Sequence, residues 1–552
     1  MNRIIGICLL CAGLAGAAEK KYIGHGWDLL AVTPAEVLAN AEALDATALD
    51  GVTLCLKMTF PDGRSYSYSS IMNDPAWTVD TFADQIPIFQ QIVRHPSLRE
   101  SFLACFCAPR RRLDWRDDDA WGKAVNNLGV LAALAKKGGL RGVLIDHEDY
   151  PNSKQFFRLP NDPPYAETAR LARQRGAQLM SAMAKEFPDA VLLSFWFLSM
   201  NRRLLDSSDP MAKAEAARDV WPAFFNGMLD ALPPGTRLVD GDEHAYRYEA
   251  ERNDFFVSAW YQRQAALKLV APENCEKYSK QLLTGFGLYL DMYVNDSDSP
   301  WYFAPVNGSR LQHFDLNVRQ ATQVASEYIW VYGEKFSWIK WHSIAAKRHL
   351  GKPTWEEQLP GLAETMLGAK DPQALLAIRL AALQKAGALT NLAVSATTHT
   401  DGPLPPDGFR PAGIAKPWSC WQDDRSAKGV FGIDSTTGDG DAESLCIKGV
   451  GNGCFCFPLD GVKPGETYII RVSAKGTTPT AKASWQKDGK WQWRIPSSDI
   501  FFPPAQSEDE WRRAEALIRI PEGINRMVIV LCAKQGPNDK TWFDGLQIYR
   551  CR

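Results

Sequence analysis

The chain has 552 residues, 45% of them hydrophobic and 23% charged, with 62 Lys and Arg against 64 Asp and Glu. So even a balance gives no electrostatic footing for nucleic acid or for an anionic membrane surface, and beyond the first 18 positions no apolar run is long enough to span a bilayer. The length exceeds what one core supports and calls for two to four domains.

In chain order, Met1-Asn2-Arg3, the apolar run Ile4 to Leu14 and the small residues Ala15-Gly16-Ala17-Ala18 have the three-part layout of a signal peptide. Residues 1–18 are therefore expected to be removed and the protein exported, to the periplasm or outside. A lipid anchor needs a small residue just before a cysteine, whereas Cys8 follows Ile7 and Cys11 follows Leu10. Of 12 cysteines, those two leave with the signal; Cys105 with Cys107, and Cys454 with Cys456, stand two apart on strand-like runs, which makes neither an obvious bridge. No cysteine spacing resembles a structural zinc site.

From Tyr22 to about Ser395, short apolar runs alternate with helical patterns. Eight strands are predicted: Tyr22 to Trp27, Gly51 to Lys57, Phe102 to Cys107, Arg141 to Ile145, Ala190 to Phe197, Thr236 to Val239, Thr284 to Leu290 and Tyr328 to Tyr332. Helices are expected between them, notably Ala120 to Lys137 and Tyr165 to Glu186. The fold class is thus α/β, a (β/α)8 barrel over 22–395. An open doubly wound sheet is the alternative, but no glycine-rich phosphate loop follows the first strand. A helix from about Asp371 to Ala386 is expected to pack after the barrel. The run Thr400 to Gly408, rich in Pro, Gly and Asp, reads as a linker within 396–417. From 418 to 552 short alternating segments, among them Thr467 to Ala474, Ala481 to Gln486, Arg513 to Arg519 and Arg526 to Leu531, predict a β-sandwich of jelly-roll type.

Reacting groups of such a barrel sit where strands end. Strand four ends in Asp146-His147-Glu148-Asp149-Tyr150-Pro151, and the period of two puts Asp146 and Glu148 on one side. Neighbouring carboxyls cannot comfortably ionise together, so one keeps its proton as a general acid must. Glu148 is expected in that role, its pKa raised by Asp146. Strand six ends in Asp240-Gly241-Asp242-Glu243-His244-Ala245-Tyr246, and strand eight in Tyr332-Gly333-Glu334. Glu243 is the first choice for the partner carboxylate and Glu334 the second; Asp240 and Asp242 are expected to bind sugar hydroxyls or orient the pair. The 19 Trp and 16 Tyr are more than folding demands, and Trp27, Trp196, Tyr246, Tyr289, Trp330, Tyr332 and Trp338 lie where a sugar ring could stack. Paired carboxylates among aromatics are what cleavage of a glycosidic bond requires.

The strand-four ending resembles the Asp-x-Glu-Tyr-Pro run of family 18 glycoside hydrolases, in which the Glu is the acid and the Asp orients the substrate amide. This chain departs from it by inserting Asp149 and by carrying Leu144 and Gly142 where an earlier aspartate stands. Carboxylates ending strands four and six also resemble the layout of several retaining α-glycosidase barrels. The C-terminal segment is similar to carbohydrate-binding jelly rolls of the family 4 and 9 type, on Trp511-Arg512-Arg513, Ile520-Pro521-Glu522-Gly523 and Trp542-Phe543-Asp544-Gly545-Leu546-Gln547-Ile548-Tyr549. That resemblance implies a structural calcium to which Asp544 or Asp434 would contribute, and a sugar face on Trp485, Trp491 and Trp493.

The expected protein is a secreted glycoside hydrolase with a carbohydrate partner, no nucleic acid, no membrane insertion and no cofactor for catalysis. Two other readings are a sugar-binding protein that kept the barrel without catalysis, and a metal-dependent hydrolase gathering His25, His147, His244 and His342. The latter lacks the paired histidines on strand one of amidohydrolase barrels, since Gly24-His25-Gly26-Trp27-Asp28 has only one.

Overall fold

A computed structural model describes residues 19–59, 65–66, 70–72, 75–150, 152–306, 308–342, 350–396, 409–411 and 414–551. The expected signal peptide and most of the expected linker lie outside them. The chain divides into two compact units, Met1–Lys370 and Asp371–Arg552.

The first unit is an α/β barrel. Its strands are β1 (Lys21–Gly26), β2 (Gly51–Cys55), β3 (Phe102–Phe106), β4 (Gly142–Asp146), β5 (Val191–Ser194), β6 (Arg237–Asp240), β7 in two pieces (Leu282–Thr284 and Phe286–Tyr289) and β8 (Tyr328–Gly333). Every pairing is parallel, and each strand neighbours the next in sequence. The lower piece of β7 pairs with β6, the upper piece with β8, and β8 returns to β1, with Lys21 opposite Tyr328. Strands β2, β4 and β5 are buried from end to end, as parallel strands covered on both faces are.

Strand seven was expected as one run from Thr284. It begins earlier and breaks at Gly285, where a Cβ would meet the Val239 side chain at 2.8 Å and the Asp240 carbonyl oxygen at 3.0 Å. Only glycine lets the backbone turn this close to β6.

Helices wrap the outside. In α1 (Asp118–Lys137) the Asp117 side chain accepts from the Ala120 N–H at 2.9 Å, Asp118 and Asp119 occupy the positive first turn, and Lys136 and Lys137 the last. In α2 (Tyr165–Glu186) Leu171, Ala172, Leu179, Met180 and Met183 recur at helical spacing and form the buried stripe.

The second unit opens with α3 (Pro372–Lys385), whose Leu376, Leu380 and Leu383 pack with Ile469 and Tyr549. The helix expected to follow the barrel therefore belongs to the sandwich, and the division falls ahead of it rather than at 396–417. Two antiparallel sheets follow. One runs, in spatial order, β9 (Phe409–Pro411), β11 (Val430–Asp434), β12 (Ser444–Lys448), β20 (Lys540–Cys551), β14 (Thr467–Gly476) and β18 (Arg512–Arg519). The other runs β10 (Ser419–Gln422), β13 (Gly453–Asp460), β19 (Arg526–Ala533), β15 (Thr480–Lys487) and β16 (Lys490–Trp491), with β17 (Ser498–Ile500) also on β15. Ile447, Phe455, Ile470, Ile529 and Phe543 fill the layer between them.

Trp485 is in that core, 2% exposed, with its Nε1–H on the Pro496 carbonyl at 2.7 Å. It therefore cannot serve a sugar face. Trp491 and Trp493 stack at 5.1 Å, and Trp493 is 79% exposed. Asp434 accepts from Trp542 Nε1 and from Thr436, while Asp544 accepts from the Asp439 and Gly545 N–H groups. Among the described residues no group of three His, Cys, Asp or Glu side chains is arranged to hold a metal ion, and no helix is long and apolar enough to cross a membrane.

Candidate active site

The strand ends of the barrel surround a cavity of about 790 Å³ lined by Asp146, Glu148, Glu243 and Glu334 together with Trp27, Tyr246, Tyr289, Trp330 and Tyr332. Nine of the thirteen acids and aromatics singled out in the sequence meet there. The remaining four do not.

Asp240 is wholly buried and accepts from the backbone N–H of Leu198 and Ser199 at 2.9 and 3.0 Å and from Ser199 Oγ at 2.5 Å. Asp242 is equally buried and accepts from Tyr248 Oη at 2.9 Å and from Ser258 Oγ. These acids hold loops together and do not reach sugar hydroxyls. Trp196 alternates away from the cavity and packs edge-on to His147 at 4.4 Å. Trp338 also lies off the cavity, its Nε1–H on the His25 carbonyl at 3.3 Å.

The floor is aromatic. Phe195 stacks on Trp330 at 4.3 Å, and Trp330 donates through Nε1 to the Gly241 carbonyl at 2.8 Å. Gly287 passes under the same indole, where a Cβ would meet it at 2.7 Å. His25 sits beside Phe195 and Trp330 with Nδ1 2.9 Å from Thr53 Oγ1. Burial pulls its pKa down to about 3, so it stays neutral. Tyr246, Tyr289 and Tyr332 form one wall at ring spacings of 4.9 to 5.9 Å. Trp301 closes it edge-on, with the Arg247 guanidinium 4.0 Å over its ring.

Strand alternation places the carboxyls of β4 as expected: Asp146 and Glu148 line the cavity while His147 turns outward and stacks on Trp221 at 4.2 Å. The Asp146 carboxylate accepts the Glu148 N–H at 2.9 Å, and Tyr150 donates its hydroxyl to Glu148. Burial, then the charge of Glu334, pushes Glu148 up to about 7. The expected cause, Asp146, is not the one found.

Glu334 is fixed by a line of donors: Trp27 Nε1 donates to Tyr332 Oη at 2.6 Å, and that hydroxyl donates to the Glu334 carboxylate at 2.9 Å. From below, Asp291 accepts the Glu334 and Lys335 N–H groups at 2.8 and 3.3 Å. Asp291 stands two residues past the end of β7, so the strand-end rule that picks out the other acids reaches it as well.

Glu243 rides on a single 3-10 turn, Glu243–Arg247, entered through Asp242 at φ 37°. A left-handed aspartate is strained, and its buried carboxylate contacts keep the turn in place. Burial, then Glu148, Asp146 and Asp242, raises Glu243 to about 8.

Of the four histidines, His25 and His244 line the cavity; His147 and His342 do not. The sequence reading missed Arg247, Trp301, Phe106, Phe195 and Met200 as cavity residues. Trp301 and Arg247 lie in connections, which carry no periodic signal.

No family model matches this chain, and no curated protein sequence matches it. Solved structures similar to part of it include the enzymatically active domain of bacteriophage CBA120 tailspike protein 4, at 12% identity and TM-score 0.21 over 24% of this chain and 19% of that one. The CBM22-1 xylan-binding domain of Paenibacillus barcinonensis Xyn10C matches at 13% identity and TM-score 0.20, over 24% of this chain and 86% of its own. The C-terminal family 22 carbohydrate-binding module of Clostridium thermocellum Xyn10B matches at 16% identity and TM-score 0.20, over 27% and 97%.

Proposed function

We propose that this protein is an exported glycoside hydrolase acting in the barrel cavity. The observation that carries this reading is the gathering of three glutamates and an aspartate with a wall of tyrosines and a tryptophan floor in one cavity. Aromatic faces suit the apolar faces of sugar rings, and carboxyls in two protonation states suit the proton transfer and charge stabilisation of glycosidic cleavage.

In this reading Glu148 is the general acid that gives its proton to the departing glycosidic oxygen. Burial and the nearby Glu334 charge keep that proton in place up to about pH 7. Glu334 is the anionic partner facing the cationic anomeric centre, steadied by the Tyr332 hydroxyl and by Asp291 beneath its backbone. It takes this part rather than Glu243, because burial holds Glu243 neutral up to about pH 8. A neutral Glu243 acts as a hydrogen-bond donor to a sugar hydroxyl.

The decisive experiment incubates the purified chain with a panel of plant, bacterial and animal glycans and measures new reducing ends. Release from at least one glycan is expected. Retention of a glycan with no new reducing end from any member would instead make the barrel a binding module.

Two further outcomes follow. Because Glu148 works in its protonated form, kcat/KM should be level below about pH 7 on the Glu148 side and fall about tenfold per pH unit above it. A profile still flat at pH 9 contradicts the assignment. Trp301→Ala removes a stacking edge and bares Arg247; KM should rise roughly 2–10-fold with kcat little changed, read from initial rates on the best substrate.

A further inference from the structure

Three free thiols, Cys454, Cys456 and Cys532, meet on one face of the second sandwich sheet. Cys454 on β13 stands directly opposite Cys532 on β19, and Cys456, two residues along β13, faces the same side. The Cys454 and Cys456 sulfurs are 3.7 Å apart, and the Cys454 thiol contacts Cys532 as well. Cys454 is buried, whereas Cys456 and Cys532 reach solvent in part. Around them lie Val528, Val530 and Trp491, with Thr480 opposite Cys532 on β15 and Lys482 opposite Val530. Cys420, on the neighbouring strand β10, is exposed.

We propose that these thiols form a redox-active triad in which Cys454 and Cys532 close a cross-strand disulfide and Cys456 is the rival partner for Cys454. Directly opposed residues of antiparallel strands have Cα atoms about 4.5–5.5 Å apart, within the range a disulfide spans. Residues two apart along one strand are about 6.6 Å apart, at the upper end of that range. Geometry therefore favours the bond across the ladder over the bond along it.

The surroundings make Cys532 and Cys456 the attacking thiols. Contact with the Cys454 thiol, then Lys482, draws Cys532 down to about 7, and contact with Cys454 lowers Cys456 too, whereas Cys454 is pushed up. A thiol near ambient pH is the efficient attacker in exchange.

The oxidant is a small-molecule disulfide, RSSR. The Cys532 thiolate attacks one of its sulfurs, forming Cys532–S–S–R and expelling RS⁻. Cys454, losing its proton to that RS⁻, then attacks the Cys532 sulfur and expels the second RS⁻, which takes up the proton Cys532 had released. Two protein thiols and RSSR become one protein disulfide and two RSH; the two electrons come from the protein sulfurs. A Cys456 thiolate attacking the Cys454 sulfur moves the bond along β13 and frees Cys532, with no net oxidation.

The test equilibrates the full chain, first reduced, with oxidised glutathione, blocks remaining thiols by alkylation and maps the peptides by mass spectrometry. The expected result is one internal link, Cys454 to Cys532, with Cys456 alkylated. Cys532→Ser should shift the link to Cys454–Cys456, and Cys454→Ser should remove it and leave glutathione attached to Cys532. The proposal is overturned if the reduced wild-type chain emerges with Cys454 and Cys532 both alkylated, or linked to other cysteines. It is equally overturned if Cys454→Ser, folded by its melting curve, still forms an internal link at Cys532. Should a serine variant fail to fold, the wild-type map alone decides.

Discussion

Glu148→Gln is expected to lower turnover on the natural glycan by about two to four decades while leaving substrate binding intact. The amide keeps the size of the carboxyl and its contact with the Tyr150 hydroxyl, but it carries no proton to give. The substitution also removes the group whose pKa burial and Glu334 raise, so the alkaline fall in kcat/KM should vanish with it. A substrate with an activated aryl leaving group needs little protonation, and there the loss should shrink to about tenfold or less. Steady-state kinetics on the two substrates separates the roles. Equal losses on both point to a positioning role for Glu148, and full turnover on the natural glycan removes it from the chemistry.

Asp240→Ala should act on stability and hardly at all on chemistry. The carboxyl is buried and serves two backbone N–H groups and one hydroxyl of the Leu198–Ser199 segment, so truncation strands donors that water cannot reach. Each stranded donor costs about 1–3 kcal/mol, so three of them put the loss at about 3 kcal/mol or more and the fall in Tm at roughly 5 °C or more. Thermal unfolding measures it. Activity per folded molecule should stay within about twofold at a temperature well below the new midpoint. A variant with unchanged Tm and lost activity would return Asp240 to the substrate.

The barrel was legible because parallel strands covered on both faces must read as short apolar runs, and eight such runs stand where the eight strands form. Period two likewise separates Asp146 and Glu148 from His147 in the sequence itself. Alternation held the answer for Trp485 as well: Ala481, Ala483 and Trp485 share the inward face of β15, so its burial was readable. For other residues no local pattern decides. That an acid follows a strand is visible in Asp240 and Asp242, but whether donors such as Ser199, Tyr248 and Ser258 close over it depends on loops distant in sequence. The leucines of α3 likewise carry no mark of which unit they cover. Glu148 shows the same limit in its electrostatics: the charge that raises it comes from Glu334, far along the chain, and not from the neighbour two residues away.

The break at Gly285 has a consequence for how this cavity is made. Because the two halves of β7 serve different neighbours, the upper half shares no strand ladder with β6 and keeps only a long bond from Gly287 N–H to the Asp242 carbonyl, 3.5 Å, while the Glu243–Arg247 turn lies against it in place of a strand. The ring thus has a seam, and four of the cavity's residues, Glu243, His244, Tyr246 and Arg247, enter through it on a short turn rather than on the barrel wall. Two backbone bonds tie the entry of this turn to its surroundings, the one from Gly287 and that from Glu243 N–H to the Phe195 carbonyl at 3.1 Å, so a change of length falls more easily beyond Glu243 than before it. The pocket can be re-tailored at the seam while the rest of the barrel stays as it is.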